Sequence, residues 1–337
     1  MPSQPDILAV DGGNSKVDVA LVAVDGTLLG AGRAGGASFA PDDDQQGCIG
    51  ALLQAVRRAR ANAGMDTGGG PLARLGMLCL AGADLPVDDR RILRALRSLR
   101  LADDIVLHND TFAVLRAGTE RSWGVGVVCG AGMNCSAVAP NGRTVRFAAI
   151  GEVSGDEGGG GWLGTQAIRA AVRGHDGRDP HTVLEREVPA FYCVRSVVAV
   201  LERIQTGRTD EYPAELAPLV FRCAAAGDAV SQRLVDRQAD EVVAMVASAV
   251  RRLHLMRRDV HVVLGGGLFH DTEGRFLARV EAGIRAVVPA AVIRPLHVPP
   301  VVGAALLGLD RLGAARGAQD RIRSSLVRER LVTSREE

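Results

Sequence analysis

A short polar segment near the start of the sequence carries the residue types that suit a metal-bound polyphosphate. An apolar run, Ile7 to Val10, leads into Asp11 to Lys16 (DGGNSK), and a second apolar run, Val17 to Val24, follows. Glycines allow a tight turn with exposed backbone N–H groups, while the carboxylate and the lysine supply opposite charges. This pattern of strand, turn and strand predicts a phosphate-binding hairpin.

Two better-known glycine motifs are excluded, because the dinucleotide fingerprint and the P-loop both need a helix after the glycines. The segment after Lys16 instead has the β-branched content of a strand and closes at Asp25-Gly26, a hairpin turn signal. Lys16 is the only lysine in the sequence. One interpretation is that its compact ammonium binds phosphate. The competing interpretation is an ordinary hairpin with a solvated lysine.

Composition limits the classes of function. With 337 residues the chain exceeds the usual single core, which favours two domains, and a net charge of +1 argues against a nucleic-acid surface. The six cysteines form no CxxC pair and no zinc-type cluster, so we expect buried free thiols in a reducing compartment. The sequence has no long uncharged apolar run, and its start leaves no room for a signal peptide. We therefore expect a cytoplasmic protein without a membrane or nucleic-acid partner.

A second unit of the same design lies in the middle of the chain. Trp123 to Val128 reads as a strand, Cys129 to Asn134 as a glycine turn, and Cys135 to Ala139 as a strand that ends at a Pro-Asn-Gly turn. This order repeats that of residues 7 to 26. We expect a structural duplication in which each half contributes one hairpin to a cleft between them.

Polar residues follow two further strands, where the sheets of α/β proteins bind ligands. Leu75 to Leu80 reads as a strand that ends at Asp84, and Ile105 to Leu107 as a strand that delivers His108 to Thr111. Asp110 is either a functional carboxylate or the cap of the helix that follows.

The second half contains two more glycine-rich segments. Residues 151 to 161 (GEVSGDEGGGG) are either a mobile loop or the lining of a polar pocket, and a helix is expected to begin near Leu163 or Thr165. Residues 165 to 258 have mainly helical periodicity. His261 to Leu264 then reads as a strand that ends in three glycines.

Together the segments DGGNSK, HNDTFA, CGAGMNC, SGDEGGGGW and LGGG resemble, in this order, the actin-like, sugar-kinase and Hsp70 ATPase superfamily. More narrowly, nearly the whole chain resembles the N-acetylglucosamine kinase and BadF/BadG/BcrA/BcrD-type ATPase family. The resemblance implies an α/β fold of two duplicated actin-like (ribonuclease H-like) domains with a cleft between them. They would span residues 1–118 and 119–337, with a helical insertion at about 165–258. The resemblance also allows the last helix to pack back on the N-terminal domain.

The same resemblance implies ATP and Mg²⁺ as cofactors and assigns roles to individual residues. Asp11 would hold Mg²⁺ through water, and Asp110 would be the catalytic aspartate that accepts the proton of a sugar hydroxyl. With an ordinary pKa of ~3.9, Asp110 would be a weak base that receives the proton late in the step. The residues expected to bind ATP or its phosphates are Gly12, Gly13, Asn14, Ser15, Lys16, Gly130, Ala131, Gly132, Gly265, Gly266 and Gly267. The residues expected to bind the sugar are Ser38, Asn109, Asp110, Gly132, Asn134, Glu152 and Asp156.

The implied reaction is phosphorylation of N-acetylglucosamine, with the 6-hydroxyl as acceptor. Two departures from the family pattern bear on the substrate: Ser38 replaces the usual asparagine, and Ile150-Gly151-Glu152 replaces an aromatic-Gly-His type sequence. Glu152 could favour a free amine, so glucosamine is an alternative substrate. N-acetylmuramate, which carries its own carboxylate, is disfavoured if Glu152 faces the pocket.

Two other classes of function compete with the kinase. Activator ATPases of 2-hydroxyacyl-CoA dehydratases are relatives that hold an iron–sulfur cluster between two subunits, but the cysteines here have no cluster-type glycine loop. A non-enzymatic sugar sensor usually carries a DNA-binding domain before the first strand, and the sequence leaves no room for one ahead of Ile7. A homodimer is implied by the resemblance alone.

Overall fold

A computed structural model describes residues 4–36, 39, 45–65, 70–209, 213–270 and 274–331. Within these residues the strands form two five-stranded sheets. The strands are β1 (Ile7–Gly12), β2 (Lys16–Val22), β3 (Leu28–Gly35), β4 (Ala73–Leu80), β5 (Ala102–His108), β6 (Gly124–Cys129), β7 (Met133–Val138), β8 (Thr144–Arg146), β9 (His261–Gly265) and β10 (Val292–Pro295).

Helices occupy most of the remaining described residues, and the largest group of them separates β8 from β9. The α-helices are α1 (Gln45–Asn62), α2 (Pro86–Ser98), α3 (Asp110–Gly118), α4 (Gly159–His175), α5 (Leu184–Phe191), α6 (Val197–Gln205), α7 (Ala217–Ala225), α8 (Ala229–Arg252), α9 (Arg275–Val287), α10 (Val301–Arg311), α11 (Arg316–Ser325) and α12 (Arg328–Leu331). Short 3₁₀ helices lie at Glu152–Ser154, Ala214–Leu216 and Gly267–Phe269.

The two sheets have the same plan. The strand order of the first is β3-β2-β1-β4-β5 and that of the second, read from the other edge, is β8-β7-β6-β9-β10. In each sheet the first three strands along the chain pair antiparallel, and the last two add in parallel. This repetition confirms the predicted duplication, and it brings the glycine turns to corresponding places in the two halves.

The first sheet is covered on both faces by helices from opposite ends of the sequence. Leu8 and Val10 on one face pack in a cluster that includes residues of α1 and α2. Ile7 and Ala9 on the other face pack with α10, including the fully buried Leu306. Alternate side chains of one buried strand thus enter two different cores, as the two-residue period of a strand requires.

Helix α3 lies where the two halves meet and is tied down at its C-terminal end. Its Arg116 makes a two-pronged ion pair with Asp310 of α10, at 2.7 and 3.1 Å. Arg323 of α11 donates to the carbonyl oxygen of Ala117 at 2.6 Å, so a cation satisfies the end of the helix. The opposite end of α3, which begins with Asp110, lies against the second sheet, where an added Cβ on Gly126 of β6 would be 2.4 Å from the carbonyl oxygen of Thr111.

Three elements differ from the sequence-based expectation. Strands β3 and β8 were not predicted, and α4 begins at Gly159 rather than near Leu163. The early start of α4 has a tertiary cause, because its first amides bond to the second glycine turn.

Among the described residues, no helix is both long and apolar enough to cross a membrane. The division at residue 118 stays a prediction.

Candidate functional site

The first glycine turn exposes its backbone at the end of β1. The N–H of Gly13 donates to the carbonyl oxygen of Lys16 at 2.9 Å and closes the turn, while Asn14 and Ser15 are exposed. Strands β1 and β2 then continue as a regular antiparallel ladder with Gly12 opposite Val17. The strand, turn and strand predicted from the sequence are therefore present, with an exposed tip at Asn14 and Ser15.

Lys16 is held beside two carboxylates at the base of this hairpin. Its Nζ makes a short ion pair with Asp18 and lies 3.6 Å from Oδ2 of Asp11. Asp18 is fully buried and also accepts from Nε and Nη2 of Arg33, at 2.6 and 2.9 Å. The two cations compensate the buried negative charge of Asp18, and Asp18 in turn fixes the position of the ammonium. Sequence reasoning missed Asp18, although its place two residues from Lys16 puts both on one face of β2.

Asp11 is a buried carboxylate whose ionised form is stabilised by a nearby cation. Burial raises its pKa to about 6, and Lys16 opposes this rise. No group of three or more His, Cys, Asp or Glu side chains within the described part of the chain could hold a metal ion. Magnesium ions in phosphoryl-transfer sites take one or two carboxylates, with water and substrate phosphates as the other ligands, so this donor set fits Mg²⁺.

The second glycine turn is fixed by the helix that follows it in space. The N–H groups of Gly160 and Gly161, in the first turn of α4, donate to the carbonyl oxygens of Gly130 and Ala131 at 2.7 and 2.9 Å. Gly159 permits this approach, because its φ is +86° and an added Cβ would lie 2.5 Å from the carbonyl carbon of Gly132. The run of glycines is thus largely the start of a helix packed on the turn.

The third glycine segment divides between packing and exposure. Gly265 is buried at the end of β9, and an added Cβ on Gly266 would lie 2.2 Å from the carbonyl oxygen of Cys129. Gly267 instead borders open space. Only this last glycine of the predicted adenosine-side loop has room for a ligand beside it, and the roles of all three stay predictions.

A cavity of about 290 Å³ joins several of the predicted site residues. Asn14 of the first turn and Gly132 of the second both line it, so the two turns face one space. The described residues around it are Asn14, Ala131, Gly132, Met133, Ala149, Gly151, Glu152, Asp156, Gly158, Gly161, Trp162, Thr165 and Ala214. Asp110, Asn109 and Asn134 are outside this lining.

Glu152 and Asp156 bring negative charge to the cavity. Glu152 is exposed, whereas Asp156 accepts hydrogen bonds from the N–H of Gly151 at 3.1 Å and from the hydroxyl of Ser154. No lysine or arginine occurs in the described lining. Ser38, the other predicted sugar contact on a loop, lies outside the described residues.

Asp110 is the first residue of α3, and its environment differs from the sequence-based expectation. Burial raises its pKa to about 8, and the charges of Asp11 and Asp84 act in the same direction. The expectation of an ordinary pKa was therefore wrong. The helix cap is Asn109, whose side chain accepts from the N–H of Thr111 at 3.0 Å. The alternative in which Asp110 serves as that cap is excluded.

A buried network joins the start of α3 to β7. The side-chain amides of Asn109 and Asn134 both donate to Oδ1 of Asp84, at 2.8 and 2.9 Å. The hydroxyl groups of Thr111 and Ser136 lie 2.6 Å apart and share a further hydrogen bond. Asp84 was recognised in the sequence as a strand end but not as a site residue. Asp84 follows β4 as Asp110 follows β5, and this shared position after a strand could have indicated Asp84 as a site residue.

Comparison with known proteins assigns the family. The sequence pattern of the BadF/BadG/BcrA/BcrD ATPase family matches residues 8–308. The chain belongs to this family. Membership confirms the resemblance drawn from the sequence, and the family implies ATP as a substrate.

The curated relatives of this chain agree in their class of reaction. The chain is 27% identical over 268 residues to the N-acetylmuramic acid/N-acetylglucosamine kinase of Clostridium acetobutylicum, covering 79% of this chain and 86% of that one. It is 24% identical over 242 residues to the N-acetyl-D-glucosamine kinase of Dictyostelium discoideum, covering 70% and 76%. These relatives and the family confirm the prediction of a phosphotransferase enzyme.

A solved structure supports the predicted architecture. A protein from Chromobacterium violaceum, described as a candidate N-acetylglucosamine kinase, superposes with a TM-score of 0.70 at 24% identity and covers 91% of this chain and 100% of that one. The predicted duplicated actin-like fold is confirmed.

Proposed function

We propose that the protein is an ATP-dependent amino-sugar kinase that converts N-acetylglucosamine and ATP into N-acetylglucosamine 6-phosphate and ADP. The observation that carries this proposal is the meeting of two glycine turns at one cavity, with Asp110 among buried acids at the adjacent helix start. The two curated kinases support the substrate class.

The chemistry needs positioning and charge neutralisation more than covalent work by the protein. The oxygen of the sugar hydroxyl would bond to the γ-phosphorus of ATP as the bond from that phosphorus to the bridging oxygen breaks. Asp110 would accept the hydroxyl proton, and its raised pKa makes it a better base, once deprotonated, than an ordinary aspartate. The exposed amides of the two turns and Lys16 would hold phosphate oxygens. Asp11 would hold Mg²⁺, which neutralises phosphate charge when bound.

The test is ADP release by purified protein with Mg²⁺ and ATP across N-acetylglucosamine, glucosamine, N-acetylmannosamine, N-acetylmuramate and glucose. We expect turnover with an amino sugar, and its loss in Asp110→Asn. If no sugar stimulates ADP release above the sugar-free rate, the proposed function is wrong.

Glucosamine is a second candidate substrate, favoured by the negative charge of the cavity. Glu152 and Asp156 line it without an arginine or lysine in the described lining, which suits an ammonium and disfavours the carboxylate of N-acetylmuramate. Glu152→Gln should weaken glucosamine use about tenfold and leave N-acetylglucosamine use unchanged. Glu202→Gln, an exposed site on α6 away from the cavity, is the matched control. Equal losses for both sugars would exclude a role of Glu152 in discriminating them.

The resemblance further suggests a homodimer in the cytoplasm, and both stay predictions. Sedimentation of the purified chain at several concentrations would measure its oligomeric state. A monomer throughout would exclude the dimer.

A further inference from the structure

Asp84 bonds to two of the residues expected to bind the sugar. It is 9% exposed, and its Oδ1 accepts from Nδ2 of Asn109 at 2.8 Å and from Nδ2 of Asn134 at 2.9 Å. Asn109 precedes the helix that carries Asp110, whereas Asn134 belongs to β7 of the other sheet. A single carboxylate oxygen therefore joins the start of α3 to the second half of the molecule.

The bond to Asp84 also determines which way the amide of Asn109 points. A carboxylate only accepts hydrogen bonds, so it selects the NH₂ end of the amide. The opposite end, Oδ1, is then free to accept from the N–H and the hydroxyl of Thr111, at 3.0 and 2.5 Å. Asn109 is 1% exposed, so an amide turned the other way would leave buried groups unpaired.

The same argument applies to Asn134 on the opposite side. Its Nδ2 donates to Asp84, and its Oδ1 accepts from the N–H of Cys135 at 2.7 Å. One N–H of this amide remains for a ligand hydroxyl. Without Asp84, neither asparagine would have a charged acceptor to fix its rotamer.

We propose that Asp84 is a positioning residue of the catalytic site, which aligns Asp110 with Asn134 through the amides of Asn109 and Asn134. The inference rests on the proposed kinase function, because it takes Asp110 as the proton acceptor and Asn134 as a sugar contact. Asp84 acts through these neighbours.

Substitutions at Asp84 separate positioning from simple stabilisation. Asp84→Ala removes both hydrogen bonds, and we expect kcat/KM for the sugar to fall about 100-fold, since displacements near 1 Å carry losses of this order. KM for ATP should change less than about twofold, because neither of the two hydrogen bonds of Asp84 reaches a residue expected to bind ATP. Asp84→Asn keeps an oxygen that can accept both bonds, and it should restore kcat/KM to within about fivefold of the wild type.

Asp88 provides the matched control. It is buried in the same segment, and its Oδ2 accepts from the N–H of Leu85 at 3.1 Å. None of its hydrogen bonds reaches Asn109 or Asn134. We expect Asp88→Asn to lower the melting temperature and to leave kcat/KM for the sugar unchanged.

Hydrogen exchange supplies a readout that does not depend on the substrate. The amide of Thr111 bonds to Asn109, so Asp84→Ala should speed exchange in peptides that cover residues 105–118, and Asp88→Asn should not. If the wild type phosphorylates no sugar but the exchange changes as expected, the proposed function fails and the positioning of α3 stands. If the wild type is active and Asp84→Ala matches it in kcat/KM, the positioning role is overturned. Equal losses of activity and stability in Asp84→Ala and Asp88→Asn would also overturn it.

Discussion

The two glycine hairpins share a backbone plan but differ in charge. The first, β1 and β2, carries Asp11, Lys16 and Asp18, with Arg33 paired to it from β3. The second, β6 and β7, has only uncharged side chains. Duplication of a fold therefore did not duplicate its chemistry.

The neutral hairpin is stabilised by amide and sulfur contacts instead. Gln238 of α8 donates to Sγ of Cys129 at 3.2 Å and accepts from the N–H of Gly159 at 3.0 Å. The charged hairpin thus suits phosphate and a metal ion, whereas the second presents backbone and the amide of Asn134. The following predictions test this division, beginning with the largest expected effect.

Asp110 is expected to act in the transfer step, so its substitution should change kcat more than it changes KM for ATP. We expect Asp110→Asn to lower kcat about 10³-fold, as is typical when a general base is removed. KM for ATP should stay within about threefold. If single-turnover measurements give the Asp110→Asn variant a rate constant for transfer close to that of the wild type, Asp110 is not the base.

The pH dependence of the reaction should follow the ionisation of Asp110. Burial and the charges of Asp11 and Asp84 raise the pKa of Asp110 to about 8, and the base must be deprotonated to act. The value of kcat/KM for the sugar should therefore rise ~50-fold from pH 6 to pH 8 and level off above the pKa. A profile that is flat between pH 5 and 9 would contradict this assignment.

The side chain of Asn134, in the neutral hairpin, should affect the sugar alone. Asn134→Ala removes an amide that also bonds to Asp84, so we expect KM for the sugar to rise about 30-fold while KM for ATP stays constant. Initial rates over a grid of both substrates would measure the two constants. A larger effect on ATP would break the proposed division.

The charged hairpin should affect ATP alone. Lys16→Met keeps most of the side-chain volume and removes the ammonium, and we expect kcat/KM for ATP to fall about tenfold with KM for the sugar unchanged. Lys16→Arg is the control that preserves charge. If Lys16→Met leaves ATP kinetics unchanged, Lys16 serves only to pair with the carboxylates beside it.

Stability should depend on pH through the charged hairpin. The pKa of Asp11 is about 6 in the folded chain against an ordinary 3.8, so folding takes up a proton between these values. The associated stability is present below pH 3.8 and is lost as the pH rises through about 6. Asp11→Asn should therefore raise the melting temperature at pH 8, because its free energy of unfolding there exceeds that of the wild type by about 1–3 kcal/mol. Near pH 4 both differences should be much smaller. Asn134→Asp, which adds a carboxylate to the neutral hairpin, should do the opposite at pH 8.

Local patterns predicted the hairpins because strand, turn and strand are adjacent in sequence. The same locality explains what was missed. Asn109 and Asn134 lie 25 and 50 residues from Asp84, and no spacing rule joins them. Similarly, the start of α4 in a glycine run depends on carbonyl oxygens of the distant turn at Gly130, and this tertiary contact overrides low helix propensity.

The charge of Asp110 was also beyond local reasoning. Its residue type and place after β5 indicated a functional carboxylate, but its pKa depends on burial and on two acids from other strand ends. The fold was predictable because its pattern repeats, whereas the electrostatics of the site required three separate strand ends to be placed together.

The packing of α10 on β1 has a consequence for protein synthesis. Ile7 and Leu306 share one core, so ~300 residues separate its two sides and a ribosome needs ~15–60 s to make them. During that time one apolar face of the first sheet lacks its cover. The nascent chain would therefore expose a surface that chaperones bind, until the last helices leave the ribosome.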